Sequence, residues 1–440
     1  MPRDSAHWLA SIAQSPSLRA LIDALDAQRP AVCENAVGSS PAVLAGCLAA
    51  RMRRPVLHVV AHLDEADDAI DDLERFGEAG LPLATDRFGA LEVLPGETSV
   101  SLELLAERLG VVEKLAMGGG GDGGSGSPWV IVAPVQALMQ SVPRAEAAAR
   151  FAQTLRPGTQ LSPGRLIQWL DDAGYQRSDA IEQPGDFAVR GGLVDVFPPA
   201  GALQGPDGVE LALTPVRVDF FGDEVDTLFA IDADSLASTH KLGEARLVGA
   251  SAEQVQSETD TTHLLELLPT SAIATLHESM ELAEQARGYY ERLTNPVGIY
   301  APKTIFAKLH AMPNMELNRY SPTRSDAETI ALPAEALPPF DTDAKTAVAE
   351  LAALAEDEAR DVRVLCRRPA ERDRLIEMLQ EEHFEASKKL RVEVGALHHG
   401  FSWRGQGAEG PRGQGEDRGQ GVKGSRGQGA GVQASDVQPS

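Results

Sequence analysis

The stretch from Phe187 to Phe229 constrains this chain most. It contains FAVRGGLVDVFPP and, after a short insert, PVRVDFFGDEVDTLF. Apolar and polar residues alternate there, and successive strand side chains point to opposite faces of a sheet. Gly191-Gly192 is a two-residue connection, and the primed turns that close such hairpins need positive φ. In FAVR, Phe187 and Val189 take one face, Ala188 and Arg190 the other. In VRVDFF, Val216, Val218 and Phe220 share a face, with Arg217, Asp219 and Phe221 opposite. Arg190 and Arg217 are therefore expected outward over an apolar core, with Arg177 on the segment just before. DEVD is expected to form a turn or bulge, and one of Phe220 and Phe221 must be core. Upstream, Leu166, Trp169, Leu170 and Ala173 mark one face of a helix over 165–173.

The flanking sequence has another rhythm. VLHVV (Val56 to Val60) is a short apolar run suited to a buried parallel strand. Leu63, Ala66, Ile70, Leu73 and Phe76 follow at helical spacing, with Asp64, Asp67, Asp68, Asp71 and Asp72 forming a solvated acidic face. LEVLPGET is strand-like, and Leu102, Leu105, Leu109, Val112 and Leu115 mark the next helix. WVIVAPVQALMQ and AIATLHESMELAEQARGYYERL repeat the pattern, which implies an open α/β sheet covered on both sides. The strand VRVLC and a helix through Leu375, Ile376 and Leu379 add a further αβ unit.

At 440 residues the chain suggests several domains, and 43% hydrophobic content suffices for several cores. A formal net charge of -25 opposes adventitious contact with nucleic acid, so little direct DNA binding is expected. Three scattered cysteines, Cys33, Cys47 and Cys366, imply a reduced, cytoplasmic setting. No apolar run reaches membrane-spanning length. His398-His399 lacks the spacing of a metal site. GGGGDGGSGS (Gly118 to Ser127) is expected to be a flexible loop with nothing to bury, and the tail carrying Arg-Gly-Gln-Gly at Arg404, Arg412, Arg418 and Arg426 cannot offset ordering entropy by burial and is expected to be disordered.

VGSSPAVLAGCLAARM (Val37 to Met52) sits where an α/β motor lobe carries its phosphate loop. Such a loop needs exposed backbone N–H groups, a lysine for the terminal phosphates and a hydroxyl for magnesium. Gly38, Ser39 and Ser40 are present, but Pro41 removes a donor and no lysine precedes Lys114. Downstream, TLHESMEL places His277 before Glu278 where a strand-end Asp-Glu would hold magnesium. A degenerate, inactive nucleotide site is expected at Gly38, Ser39, Ser40 and Glu278, with no catalytic residue and no metal.

These segments, with VLPGET, IVAPVQALMQ, NPVGIY and LPPF in the same order, resemble the N-terminal portion of the transcription-repair coupling factors over roughly residues 10 to 403. The resemblance implies a nonfunctional copy of the first motor lobe of the excision-repair protein UvrB, with an inserted domain that binds its partner UvrA. It implies boundaries at 1–145 and 246–340 for the lobe, 146–245 for the insert, 341–403 for a small α/β domain and 404–440 for the tail. The fold class expected is α/β, a degenerate helicase-like open sheet with an inserted α+β domain. SVSLELLAERLGV lacks the aromatics with which UvrB verifies damage.

By motif, Arg177, Arg190 and Arg217, together with Phe221, fall on the surface that meets UvrA in the family. Ala188 stands where UvrB has a further arginine. Arginine suits such a surface because its planar fork grips carboxylates, although each could instead pair with a local acid among Asp179, Asp186, Asp195, Asp219 and Asp223. The function this implies is a repair adaptor that recruits UvrA at stalled RNA polymerase. Contact with polymerase and damaged DNA would be indirect, and ATP and magnesium would belong to a motor encoded beyond these residues, so that the chain is a fragment or truncated frame. A nucleotide-binding helicase lobe and a regulatory module that masks the UvrA-binding surface are the alternatives.

Overall fold

The computed structural model describes residues 7–78, 83–91, 101–118, 128–294, 296–320, 327–341, 343–356, 361–381, 390–395 and 397–404. All of the expected LEVLPGET strand beyond Leu91, the glycine tract beyond Gly118 and the Arg-Gly-Gln-Gly tail beyond Arg404 lie outside the described residues.

A seven-stranded sheet forms the larger part. From edge to edge its strands are Glu328–Ala331, Ala31–Glu34, Asn314–Leu317, Ile273–His277, Val56–Val60, Trp129–Pro134 and Ala84–Arg87, and every neighbouring pair is parallel. Parallel strands need crossovers on both faces, which explains the nearly unbroken apolar runs at VLHVV and WVIVAP. Val56, Val60, Val130 and Val132 pack beneath one helical layer that includes Ser40–Met52 and Leu63–Glu78. Leu57, Val59, Ile131 and Ala133 face the other layer, with Val112, Leu282 and Leu309. The lone polar residue of VLHVV, His58, is buried, and its Nδ1 lies 2.9 Å from Thr275 Oγ1 on the neighbouring strand. Burial pushes its pKa down to about 3.

After Trp129–Pro134 the chain leaves this sheet and rejoins it at Ile273–His277. The intervening residues build a six-stranded sheet in the order Ser238–Leu242, Glu224–Ile231, Val216–Phe221, Leu193–Val196, Asp186–Arg190 and Gln176–Arg177. A four-stranded sheet, Glu210–Leu211, Gly201–Gln204, Glu244–Val248 and Ala152–Leu155, accompanies it. Leu166 and Leu170, on the helix Pro163–Asp172, pack with Phe187, Val194, Val196, Val216, Val218 and Leu228 in their common core. Ala106 and Leu109 of the lobe helix Leu102–Ala116 meet Ala200, Val248 and Ala250, and Glu113 pairs with Arg246, which joins insert to lobe.

The C-terminal αβ unit pairs Val362–Cys366 with Leu390–Val394 in parallel beneath Ala344–Glu356 and Pro369–Glu381. The chain then returns to the lobe. Phe401–Trp403 pairs antiparallel with Ala334–Ala336, and Leu397, Phe401 and Trp403 pack on the larger core. Among the described residues no helix is long and apolar enough to cross a membrane.

Candidate functional site

The hairpin expected at Gly191-Gly192 is present. Arg190 pairs with Leu193, and Gly191 has a φ of +64°. Positive φ at the first of two central residues is the pattern of a II′ turn, which glycine adopts without a Cβ penalty. The second hairpin turns at Gly222, φ +64°, and its register steps past Asp226, the expected bulge. Alternation along Val216–Phe221 itself separates the two phenylalanines: Phe220 packs against the core, while Phe221 is 83% exposed. Phe220 N donates to Gly192 O, so the two hairpin tips lie side by side. Arg190 and Phe221 therefore share one rim of the sheet.

The cross-strand register places Ala188, Asp195, Arg217, Phe229 and Lys241 in one row on the outer face. Within it Arg217 Nε and Nη2 donate to Asp195 Oδ1 and Oδ2, both at 2.7 Å. The Asp195 carboxylate is almost wholly buried, whereas a fifth of the guanidinium side chain reaches solvent. Its bonds to Asp195 hold the Arg217 pKa above the usual arginine value. Arg217 thus has the local acidic partner foreseen as its alternative role, and Nη1 alone has no hydrogen bond among the described residues. Ala188 lies under a small cluster of Ile181, Ile231, Phe197 and Leu236 on this outer face.

Arg190 is exposed and donates from Nη2 to Asp179 O at 2.9 Å. Arg177 is exposed and has no ion pair among the described residues. It pairs in register with Phe187 and follows buried Tyr175 by two residues, so it lies on the core side of the edge strand, away from Arg217. The register puts Arg190 and Arg217 on one face of the sheet, with Phe221 at the neighbouring hairpin tip, and Arg177 on the other face. Asp186 was not singled out from the other acids by sequence. It is buried and accepts from Glu182 N and Gln183 N, closing the loop before Phe187.

The phosphate-loop residues sit at the N-terminus of the helix Ser40–Met52. Ser40 is buried and its Oγ accepts from Val37 N at 2.9 Å. Ser39 N donates to His399 O, and Ser39 Oγ accepts from His399 N. Glu278 follows the strand Ile273–His277, one strand removed from the loop's own. It adopts a left-handed φ of 53°, and its Oε1 accepts from Arg319 N at 2.7 Å. The Ser39 amide already has an acceptor and the Glu278 carboxylate is engaged by backbone. The acidic helix face is also less solvated than expected. Asp72 is buried, burial raises its pKa, and Asp68 and Asp71 engage His398. Among the described residues no cluster of His, Cys, Asp or Glu has metal-binding geometry.

The exposed rim thus belongs to a compact α+β insert carried on a larger α/β sheet. Residues 154–252 match the family described as the UvrB interaction domain. The wider chain resembles the N-terminal region of transcription-repair coupling factors across about half its length. It is 27% identical over 240 residues to that of Bacillus subtilis strain 168, covering 54% of this chain and 18% of the relative. The Escherichia coli strain K12 protein is 28% identical over 214 residues, 48% of this chain and 17% of the relative. The Myxococcus xanthus protein is 32% identical over 212 residues, 47% of this chain and 16% of the relative. The aligned region spans less than a fifth of the length of these relatives.

Proposed function

We propose that this chain is a docking adaptor of transcription-coupled nucleotide excision repair, and that the rim of its six-stranded sheet binds UvrA. The observation that carries this reading is Phe221, 83% exposed at a hairpin tip beside Arg190, inside the segment that matches the UvrB interaction domain. A large aromatic held in water by a rigid turn contributes nothing to the core. Covered by a partner, it has the character of a binding hot spot, where aromatics and arginine are enriched. Arg217 adds a guanidinium already oriented by Asp195, so little rotamer freedom is left to lose on binding. Arg177 extends the contact around the sheet edge. The partner surface that fits is an apolar pocket ringed by carboxylates.

The chain would act by binding and not by turnover. The loop at Gly38 to Ser40 and Glu278 offers neither phosphate cradle nor magnesium ligand, and we assign ATP, magnesium, RNA polymerase contact and DNA translocation to none of these residues. The net charge of -25 supports recruitment through protein contact over direct binding to DNA. Titration of the purified chain with UvrA tests the proposal. Saturable binding is expected, weakened at least about tenfold by Phe221→Ala and again by Arg190→Ala, a cost of roughly 1.4 kcal/mol or more each. Equal affinity for wild type and the double variant would remove the proposed surface.

A further inference from the structure

We propose that the former phosphate loop is now a peptide-binding cradle whose ligand is the chain's own segment His398 to Gly400. The loop presents two hydrogen-bonding groups to one residue of that segment. Ser39 N donates to His399 O at 2.9 Å, and His399 N donates to Ser39 Oγ at 3.0 Å. The carbonyl oxygen thereby takes the position of an anion's oxygen at the N-terminus of the helix Ser40–Met52, where the backbone dipole favours negative charge. The His399 side chain is 70% exposed, so the cradle holds main chain and not imidazole.

Gly38 shows how close the approach is. A Cβ there would lie 2.7 Å from Gly400 O and 2.8 Å from His399 O, and its φ of +56° is itself left-handed. The lack of a side chain at Gly38 lets the peptide approach backbone. Neighbouring groups fix the segment in register. His398 N donates to Asp72 Oδ1 at 2.8 Å, while its ring nitrogens lie 2.7 Å from Asp68 Oδ1 and 2.8 Å from Asp71 Oδ2. Arg367 Nη2 reaches the same ring at 3.1 Å, and Leu397, Phe401 and Trp403 bury apolar surface on the lobe at either side. Gly395 N, just upstream, donates to Cys366 O of the C-terminal unit. The cradle therefore latches that unit to the lobe. A tethered occupant competes at an effective concentration on the order of mM, so a free nucleotide meets a filled loop.

The latch involves residues apart from the docking sheet, so its failure would leave the UvrA reading intact. The test uses the whole chain. Hydrogen exchange should show the Ser39 amide and the 397–403 peptide protected at least about tenfold relative to an unstructured peptide. The double variant Ser39→Cys/His399→Cys should form an intramolecular disulfide under mild oxidation, since the three native cysteines are buried. Gly38→Ala should release 397–403 while the strand Trp129–Pro134 stays protected; if that variant does not fold, the disulfide and the wild-type exchange decide. Titration with magnesium ATP should show no binding below about 1 mM. Unprotected exchange at 397–403, no cross-link, or micromolar ATP binding to the wild-type chain would each overturn the proposal.

Discussion

Arg217 grips Asp195 with two parallel 2.7 Å hydrogen bonds across adjacent strands, and the carboxylate is sealed while the guanidinium keeps one edge in water. The pair is at once part of the sheet's structure and part of its outer face, and those two roles make different demands on an experiment.

Removing the arginine alone strands a buried negative charge. Wholly buried pairs lose about 3–5 kcal/mol when one partner is deleted. With a fifth of Arg217 exposed, Arg217→Ala should cost roughly 2–3 kcal/mol. Asp195→Asn/Arg217→Met, which removes both charges, should recover much of that. Urea denaturation followed by circular dichroism measures both, and an Arg217→Ala midpoint equal to wild type would mean that the pair contributes nothing.

Phe221 should behave oppositely. It is 83% exposed, so Phe221→Ala should shift stability by no more than about 0.5 kcal/mol. Its loss of UvrA affinity is then a binding effect, which is why Phe221 and Arg190 make cleaner probes than Arg217. A drop of several degrees in Tm would show that the ring packs within the molecule.

Acid should destabilise the lobe through its histidines. Burial lowers the pKa of His58 to about 3 and lowers that of His277 despite nearby Glu65, Glu278 and Glu281. The unfolded chain takes up these protons near the ordinary value of about 6.5 and the folded chain resists them, so stability is full above that pH and is lost as pH falls. At pH 5 the loss is on the order of 2 kcal/mol for a histidine that stays neutral when folded. Melting curves at pH 7.5 and pH 5 check this, and His58→Gln should flatten the dependence. An unchanged Tm across that range would show that the rings titrate freely.

Gly191 should resist substitution. Its φ of +64° suits glycine, so Gly191→Val should cost about 1–2 kcal/mol and disturb Arg190 beside it, whereas Gly191→Asn should be milder. Equal stabilities for the two variants would mean that the turn relaxes at no cost.

Local pattern made much of this legible. The largely apolar run of VLHVV marked a buried parallel strand, and the glycine pair marked the hairpin, because both depend on residues close in sequence. Strict alternation along Val216–Phe221 put Phe220 with Val216 and Val218 and left Phe221 outside, and the structure keeps that pattern because the bulge at Asp226 lies on the partner strand. Arg217's partner was one of five nearby acids until register selected Asp195. Asp72 looked solvated because helical periodicity cannot foresee a segment arriving from 326 residues away to bond it. The contact at Ser39 was hidden for the same reason: His399, which bonds it, lies 360 residues downstream.

The most direct measurement is hydrogen exchange of the whole chain with and without UvrA. The account expects new protection confined to the two hairpin tips, residues 190–193 and 219–224, and no change in the strand Ile273–His277. Protection elsewhere, with both tips exchanging as in the free chain, would contradict it.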